Sequence, residues 1–373
     1  RGVFDYIDGG AEDEAAMGRN RAAFDRTLLS PRVLVGNDVP TIATSVLGGP
    51  AAYPLVLAPT GFTRIADPQG ELAVARAAAR AGLPYTLSTL STRSIEEVRA
   101  VSDGRLWFQA YVWRDRGLVG EMLERARAAR YEALVVTVDT AVFGRRERDV
   151  RRGFSLPPTI GPGTFVDGLA HPAWTWSFVR SEPIRFANVV GRTVGDGAAP
   201  VELSAYVNQQ MDPTLSWDDV AWLRSRWDGP VVLKGVQRVA DVVRAADEGI
   251  DAVVLSNHGG RQLDVGPAPL DLVAPAVDAG GSRLEVLVDG GVRRGSDIVK
   301  ARAAGATAVL AGRAYLYALA AFGEPGVDRL LRWFGDDVRR TLALVGAPSV
   351  DDLDRSYLAA PPPGDPAPTN GGP

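Results

Sequence analysis

The most reactive set of side chains in this sequence lies in one run, Ser256-Asn257-His258-Gly259-Gly260-Arg261-Gln262-Leu263-Asp264. Histidine titrates near neutral pH, which makes His258 a candidate general base. Arg261, three residues later, carries a planar cationic fork that matches a carboxylate or a phosphate. The glycine pair between them allows a tight turn and a close backbone approach to a ligand. A base beside a fixed cation suits proton removal from an anionic substrate. The only other histidine, His171, precedes Pro172 in a Pro/Gly-rich stretch and reads as a loop residue. The competing reading makes His258 a loop cap with no chemistry.

Further groups could join this pair. Lys234 ends the apolar run Val231-Val232-Leu233, where an unpaired ammonium would be costly, so it must meet an anion. That anion is either a bound ligand or a neighbouring carboxylate. Asp139 ends another apolar run and either orients the His258 imidazole or caps the following turn. Asp289-Gly290-Gly291-Val292-Arg293-Arg294-Gly295 and Ala311-Gly312-Arg313 combine glycine amides with arginines, as phosphate sites do. The alternative is that both arginines form surface ion pairs.

Each of these groups sits at the carboxyl end of a predicted strand. Apolar runs recur at Tyr53–Leu57, Leu83–Ser88, Leu106–Tyr111, Ala133–Asp139, Pro230–Lys234, Ala252–Ser256, Glu285–Asp289 and Ala308–Ala311. Helical patterns separate them, among them Glu71–Ala81, Ile95–Val101 and Gly117–Arg130. Strands alternating with helices imply a parallel α/β sheet, and eight such units imply a closed (β/α)8 TIM barrel with its active groups at the strand ends. An open doubly wound sheet is the rival. Ahead of the first strand, a short helix stopped by Gly9-Gly10 turns Tyr6 inward, and a polar helix spans roughly Glu12 to Phe24.

A long insert after the fourth strand, about 151–217, is rich in Pro, Gly and aromatics, including Trp174, Trp176 and Phe178. Its position puts it over the barrel mouth, either as a lid, partner surface or peripheral membrane contact, or as a plain surface subdomain. Residues 1–358 therefore form one domain, and 359–373 a Pro/Gly tail with nothing to pack. The formal charge of −4, from 41 basic and 45 acidic residues, argues against nucleic acid as a partner and for small molecules. Without cysteine, thiolate metal sites, disulfides and cysteine nucleophiles are excluded, and no metal is expected. No apolar run reaches membrane-spanning length and no signal peptide is visible, so a cytoplasmic protein is expected.

Five motifs, in order, carry a family resemblance: Ala58-Pro59-Thr60-Gly61, Gln109-Ala110-Tyr111, Thr137-Val138-Asp139-Thr140, the His258 run, and Val288-Asp289-Gly290-Gly291-Val292-Arg293-Arg294-Gly295-Ser296-Asp297. Together they resemble the FMN-dependent 2-hydroxy acid dehydrogenases and oxidases, which include enzymes acting on glycolate, L-lactate and mandelate. The likeness runs from about Phe4 to Val345. It implies an FMN cofactor and oxidation of an (S)-2-hydroxy acid, L-lactate or a larger relative, with O2 or a quinone as electron acceptor.

The resemblance also implies roles. His258 is the base with Asp139 as its partner, Arg261 and Tyr6 meet the substrate carboxylate, Tyr111 meets its hydroxyl, and Arg146 is a second arginine near the substrate. Pro59, Thr60, Gly61, Ser88, Gln109, Thr137, Lys234 and Ser256 match positions around the flavin ring and ribityl chain. Asp289, Gly291, Arg293, Gly312 and Arg313 match its phosphate end. Leu90 stands where the plant glycolate oxidase pattern has tryptophan, which enlarges the pocket and disfavours glycolate. Gly61 stands where that pattern has alanine. The chain opens later than is usual for the family, so a preceding helix is expected, whereas a fused haem segment is not. A homotetramer is expected on resemblance alone. The alternatives are a biosynthetic flavin oxidase acting on a mandelate-like or peptide-derived substrate, and a non-redox phosphate-binding barrel acting as an isomerase or binding protein.

Overall fold

In a computed structural model, residues 2–151, 176, 180, 182, 184–189 and 209–360 are described. His171, Trp174 and Phe178, most of the insert and the tail from 361 lie outside these residues.

Two helices open the chain, α1 (Gly2–Asp8) and α2 (Ala15–Arg26), followed by a two-stranded antiparallel hairpin, β1 (Thr44–Val46) and β2 (Gly49–Ala51). Then come eight strands, β3 (Leu55–Leu57), β4 (Tyr85–Ser88), β5 (Leu106–Tyr111), β6 (Ala133–Thr137), β7 (Val231–Val236), β8 (Ala252–Leu255), β9 (Glu285–Val288) and β10 (Ala308–Ala311). They pair in chain order, all parallel, and β10 closes on β3. The closed barrel is thus the fold, and the open sheet is excluded.

Strand periodicity divides the apolar residues into two cores. One set, including Val56, Trp107, Val135, Val232, Val254, Leu287 and Leu310, fills the barrel interior. The alternate set, including Leu57, Phe108, Val136, Leu233, Val253 and Val288, packs outward with the buried faces of the surrounding helices. The hairpin joins the interior set through Val46 and Ala51. It therefore plugs the amino-terminal end of the barrel, and the Glu285 carboxylate fastens it by accepting from the Leu47 amide at 3.0 and 3.1 Å. Three-residue strands leave almost no periodic signal, so the hairpin is not legible in the sequence.

Two residues further along five of the strands, the inward position changes character. Trp107 gives way to Gln109, Val135 to Thr137, Val232 to Lys234, Val254 to Ser256 and Leu287 to Asp289. The interior is thus apolar below and polar at the carboxyl end, and the polar layer forms the floor of the site. Among the described residues no helix is long and apolar enough to cross a membrane.

Candidate active site

A cavity of about 970 Å³ opens above this polar layer. Its wall includes Tyr6, Pro59, Thr60, Gly61, Leu90, Gln109, Tyr111, Thr137, Arg146, Lys234, His258, Arg261, Asp289, Gly291, Arg293, Gly312 and Arg313. Groups more than 300 residues apart in sequence therefore share one space.

The His258 ring nitrogen Nδ1 lies 3.0 Å from Asp139 Oδ1. Nδ1 is thereby occupied, and Nε2 is the nitrogen left for other chemistry. Burial pushes the Asp139 carboxyl up, but the His258 imidazole and the Lys234 ammonium outweigh it and hold the group below its ordinary value. His258 itself has φ +58, and Gly259 and Gly260 follow at +66 and +78. A non-glycine residue in the left-handed region is strained and needs neighbours that impose it. The Ser256 hydroxyl accepts from the His258 amide, the Asn257 side chain accepts from the Gly260 amide, and the Gly260 carbonyl accepts from the Ala11 amide. Gln262 locks the opposite loop: its Nε2 donates to the carbonyls of Asp139 and Val142 while its Oε1 accepts from the Gly144 amide. Gln262 stood in the motif, but its residue type alone gave no sign of this role.

Arg261 is half-buried and uses one terminal nitrogen to hold the carbonyls of Tyr6 and Gly9, each at 2.8 Å. Burial and the nearby Arg146 push it down to about 9, which leaves it cationic at neutral pH. The Tyr6 ring lies between these two arginines, 5.1 Å from Arg261 and 5.2 Å from Arg146. Asp149 approaches Arg146 at 3.8 Å. Two guanidinium groups on one side of a cavity make a receptor for a carboxylate. Tyr111 lines the same space, and burial and Asp139 push its hydroxyl well above the usual range.

On the floor, Ser88 donates to Gln109 Oε1 at 3.1 Å and Gln109 Nε2 donates to Thr137 at 2.9 Å. Lys234 Nζ donates to Ser256 Oγ at 3.0 Å and meets Asp289 at 2.9 Å. The anion that Lys234 required is thus a neighbouring carboxylate, and Lys234 still faces the cavity. Burial pulls its ammonium down, but Asp289 and Asp139 together raise it above its ordinary value. Ser88 and Ser256 thus orient Gln109 and Lys234 within this layer. Thr60 is tied to the Tyr315 hydroxyl at 2.6 Å.

At the other end, Gly290 and Gly291 adopt φ +85 and +95, and Arg293 is exposed with its amide on Asp297. Arg313, expected at the phosphate end, lines the cavity. It is half-buried, and its guanidinium donates to the carbonyls of Ile7, Gly259 and Gly9. No carboxylate pairs with it directly among the described residues, so its charge still calls for an anion. Sequence reading also missed Arg21, which donates to the Gly291 carbonyl and pairs with buried Asp297.

The chain matches the family of FMN-dependent dehydrogenases over residues 1–360. It belongs to that family. It is 44% identical to the putative L-lactate dehydrogenase of Mycobacterium tuberculosis, covering 96% of this chain and 85% of that protein. It is 43% identical to the (S)-mandelate dehydrogenase of Pseudomonas putida, covering 95% and 89%. A crystal structure of monotopic membrane protein (S)-mandelate dehydrogenase superposes with a TM-score of 0.92 at 42% identity, covering 96% and 94%. The cavity of this FMN-dependent dehydrogenase fits that cofactor. The polar floor offers donors and acceptors to a ring system, Asp289 Oδ1 is buried without a partner, and Gly290, Gly291 and Arg293 form an open, cationic end for a phosphate. The non-redox alternative falls with this assignment.

Proposed function

We propose that this FMN-dependent 2-hydroxy acid oxidoreductase converts an (S)-2-hydroxy acid, L-lactate or a larger relative, to the 2-oxo acid with His258 as the base. The observation that carries the reading is the His258–Asp139 contact at 3.0 Å, which leaves Nε2 available beside the two arginines of a carboxylate receptor. Arg261 and Arg146 hold the substrate carboxylate, Tyr6 packs between them, and Tyr111 meets the substrate hydroxyl. Nε2 takes up the departing proton, and Asp139 offsets the positive charge that then forms on the ring. FMN, when bound along the polar floor, supplies the acceptor for the two electrons that leave the substrate. Lys234 keeps a cation at that floor, where negative charge would gather.

Electrons leave the enzyme to O2 or a quinone. The quinone route is supported by the relative described as a monotopic membrane protein, and by exposed Trp176 in the insert as a peripheral contact. The test is spectral. Protein loaded with FMN should bleach anaerobically with an (S)-2-hydroxy acid, and His258→Ala should keep the flavin while slowing bleaching by about 10²–10⁴-fold. Near-normal bleaching in that variant removes His258 as the base.

A further inference from the structure

The cavity has an apolar arm that the proton chemistry does not use. It leaves the arginine receptor along three rings. Tyr6 meets Phe62 edge to face, with centroids 6.4 Å apart at 82°, and Phe62 meets Phe186 at 4.3 Å and 69°. Leu90 and Ile65 complete this wall. Phe62 is held in the left-handed region, φ +56, a conformation that a bulky residue adopts only when its surroundings impose it. Its amide donates to the Leu90 carbonyl and its own carbonyl accepts from Ile65, so the ring is presented to the cavity by fixed backbone contacts.

Phe186 belongs to the insert, yet the turn 186–189 is fastened to the barrel. Ala187 donates to the Ser91 carbonyl at 3.1 Å. The Asn188 side chain, only 3% exposed, donates to Ser91 Oγ at 2.8 Å and accepts from the Ile95 amide at 3.0 Å. Arg125 donates to both the backbone and the side-chain oxygen of Asn188. Ser91 follows Leu90 directly, so Phe186 and Leu90 are anchored to one loop.

We propose that the turn 186–189 builds the far wall of the substrate pocket, with Phe186 selecting 2-hydroxy acids that carry a large apolar, preferably aromatic, substituent and Asn188 positioning it. The proposal rests on the 2-hydroxy acid reading above. A substrate whose carboxylate sits on Arg261 projects its substituent along this arm. An aryl group gains edge-to-face contact with Phe62 and Phe186, whereas a charged or hydroxylated one finds no polar partner among Phe62, Ile65, Leu90 and Phe186. Lactate's methyl group leaves most of the arm unfilled. Asn188 is a positioning residue because its side chain contacts Ser91, Ile95 and Arg125 rather than the cavity.

The experiment compares kcat/KM for (S)-mandelate and L-lactate in the FMN-loaded enzyme. It adds dissociation constants for two non-oxidisable ligands, phenylacetate and acetate. Wild type should favour mandelate by about tenfold or more, since one well-filled apolar group is worth at least that much. Phe186→Ala should cut this preference about tenfold, and Phe186→Leu by less. Asn188→Ala should shift it in the same direction, with phenylacetate weakened more than acetate. Asn188→Asp, which keeps the acceptor for the Ile95 amide, should restore part of the preference. Wild type that favours L-lactate, or variants that slow both acids equally, would overturn the proposal while leaving the 2-hydroxy acid reading in place. Flavin that no 2-hydroxy acid bleaches overturns both.

Discussion

Asp139→Asn separates charge from geometry at the proposed catalytic pair. Asparagine keeps the size of the side chain and an oxygen that can accept from His258 Nδ1, so only the negative charge is lost. Two unit charges about 4 Å apart interact by about 4 kcal/mol at an effective dielectric of about 20. The His258 side chain is 25% exposed and solvent screens part of that, leaving about 3 kcal/mol, or roughly a hundredfold in rate. Lys234 adds to the loss, because its ammonium also faces Asp139 and would repel a protonated imidazole once the carboxylate is gone. Anaerobic flavin bleaching with saturating substrate reads the step directly. Acid unfolding supplies an independent check. The Asp139 carboxyl is held below 3.8 in the folded protein, so its stabilising contribution is full above its unfolded value and fades as pH falls through the folded one. The stability gap between wild type and variant should therefore narrow below about pH 4. A variant that bleaches within a few-fold of wild type would refute the view that the carboxylate's charge supports proton uptake.

Arg261→Lys should raise KM far more than it weakens flavin, because an ammonium cannot span the Tyr6 and Gly9 carbonyls and a substrate carboxylate together; steady-state kinetics beside a flavin titration decide it. Leu90→Trp should shift kcat/KM toward glycolate by refilling the space beside Gly61, at about 1–3 kcal/mol for each methylene lost from a larger acid, and an unshifted substrate profile would remove Leu90 from the pocket wall. Gly235→Ala should destabilise the fold by at least about 2 kcal/mol and slow bleaching as well. Gly235 has φ +109 and a new Cβ would come within 2.6 Å of Asp139, so a variant with wild-type melting and turnover would contradict this packing.

The barrel and its floor were legible because strand alternation is a local property. Once Val135, Val232 and Leu287 face inward, Thr137, Lys234 and Asp289 must follow them, and polar residues two steps beyond an apolar core mark the end that binds ligands. The pairing of Asp139 with His258 was open to view because both groups end strands of one barrel, and the family resemblance favoured it over a turn cap. What stayed hidden depends on which distant backbone a side chain meets. Arginine type and glycine neighbours point Arg313 toward a phosphate, but nothing in the sequence around it encodes its bonds to the carbonyls of Ile7 and Gly9. The same holds for Asn188, an ordinary polar residue in a long insert whose hydrogen bonds all cross to other elements.

Many other contacts that cross between distant elements run from the first two helices to loops at the barrel mouth. Asp264 caps α2 by accepting from the Ala15 and Ala16 amides. Asn20 and Asn257 exchange reciprocal amide bonds at 2.7 and 2.8 Å. Arg148, in the short helix Glu147–Arg151 after β6, pairs with Asp8 and Glu14, and the Glu12 amide donates to the Arg145 carbonyl. The left-handed backbone at His258 is costly by itself, on the order of 1–3 kcal/mol. It persists because Ala11 and Asn20 hold the residues on either side of it, and Arg261 and Arg313 clasp the end of α1. The amino-terminal helices are therefore part of the site: they bring Tyr6 beside the arginines and hold the proposed base in a conformation that strand β8 alone would not impose.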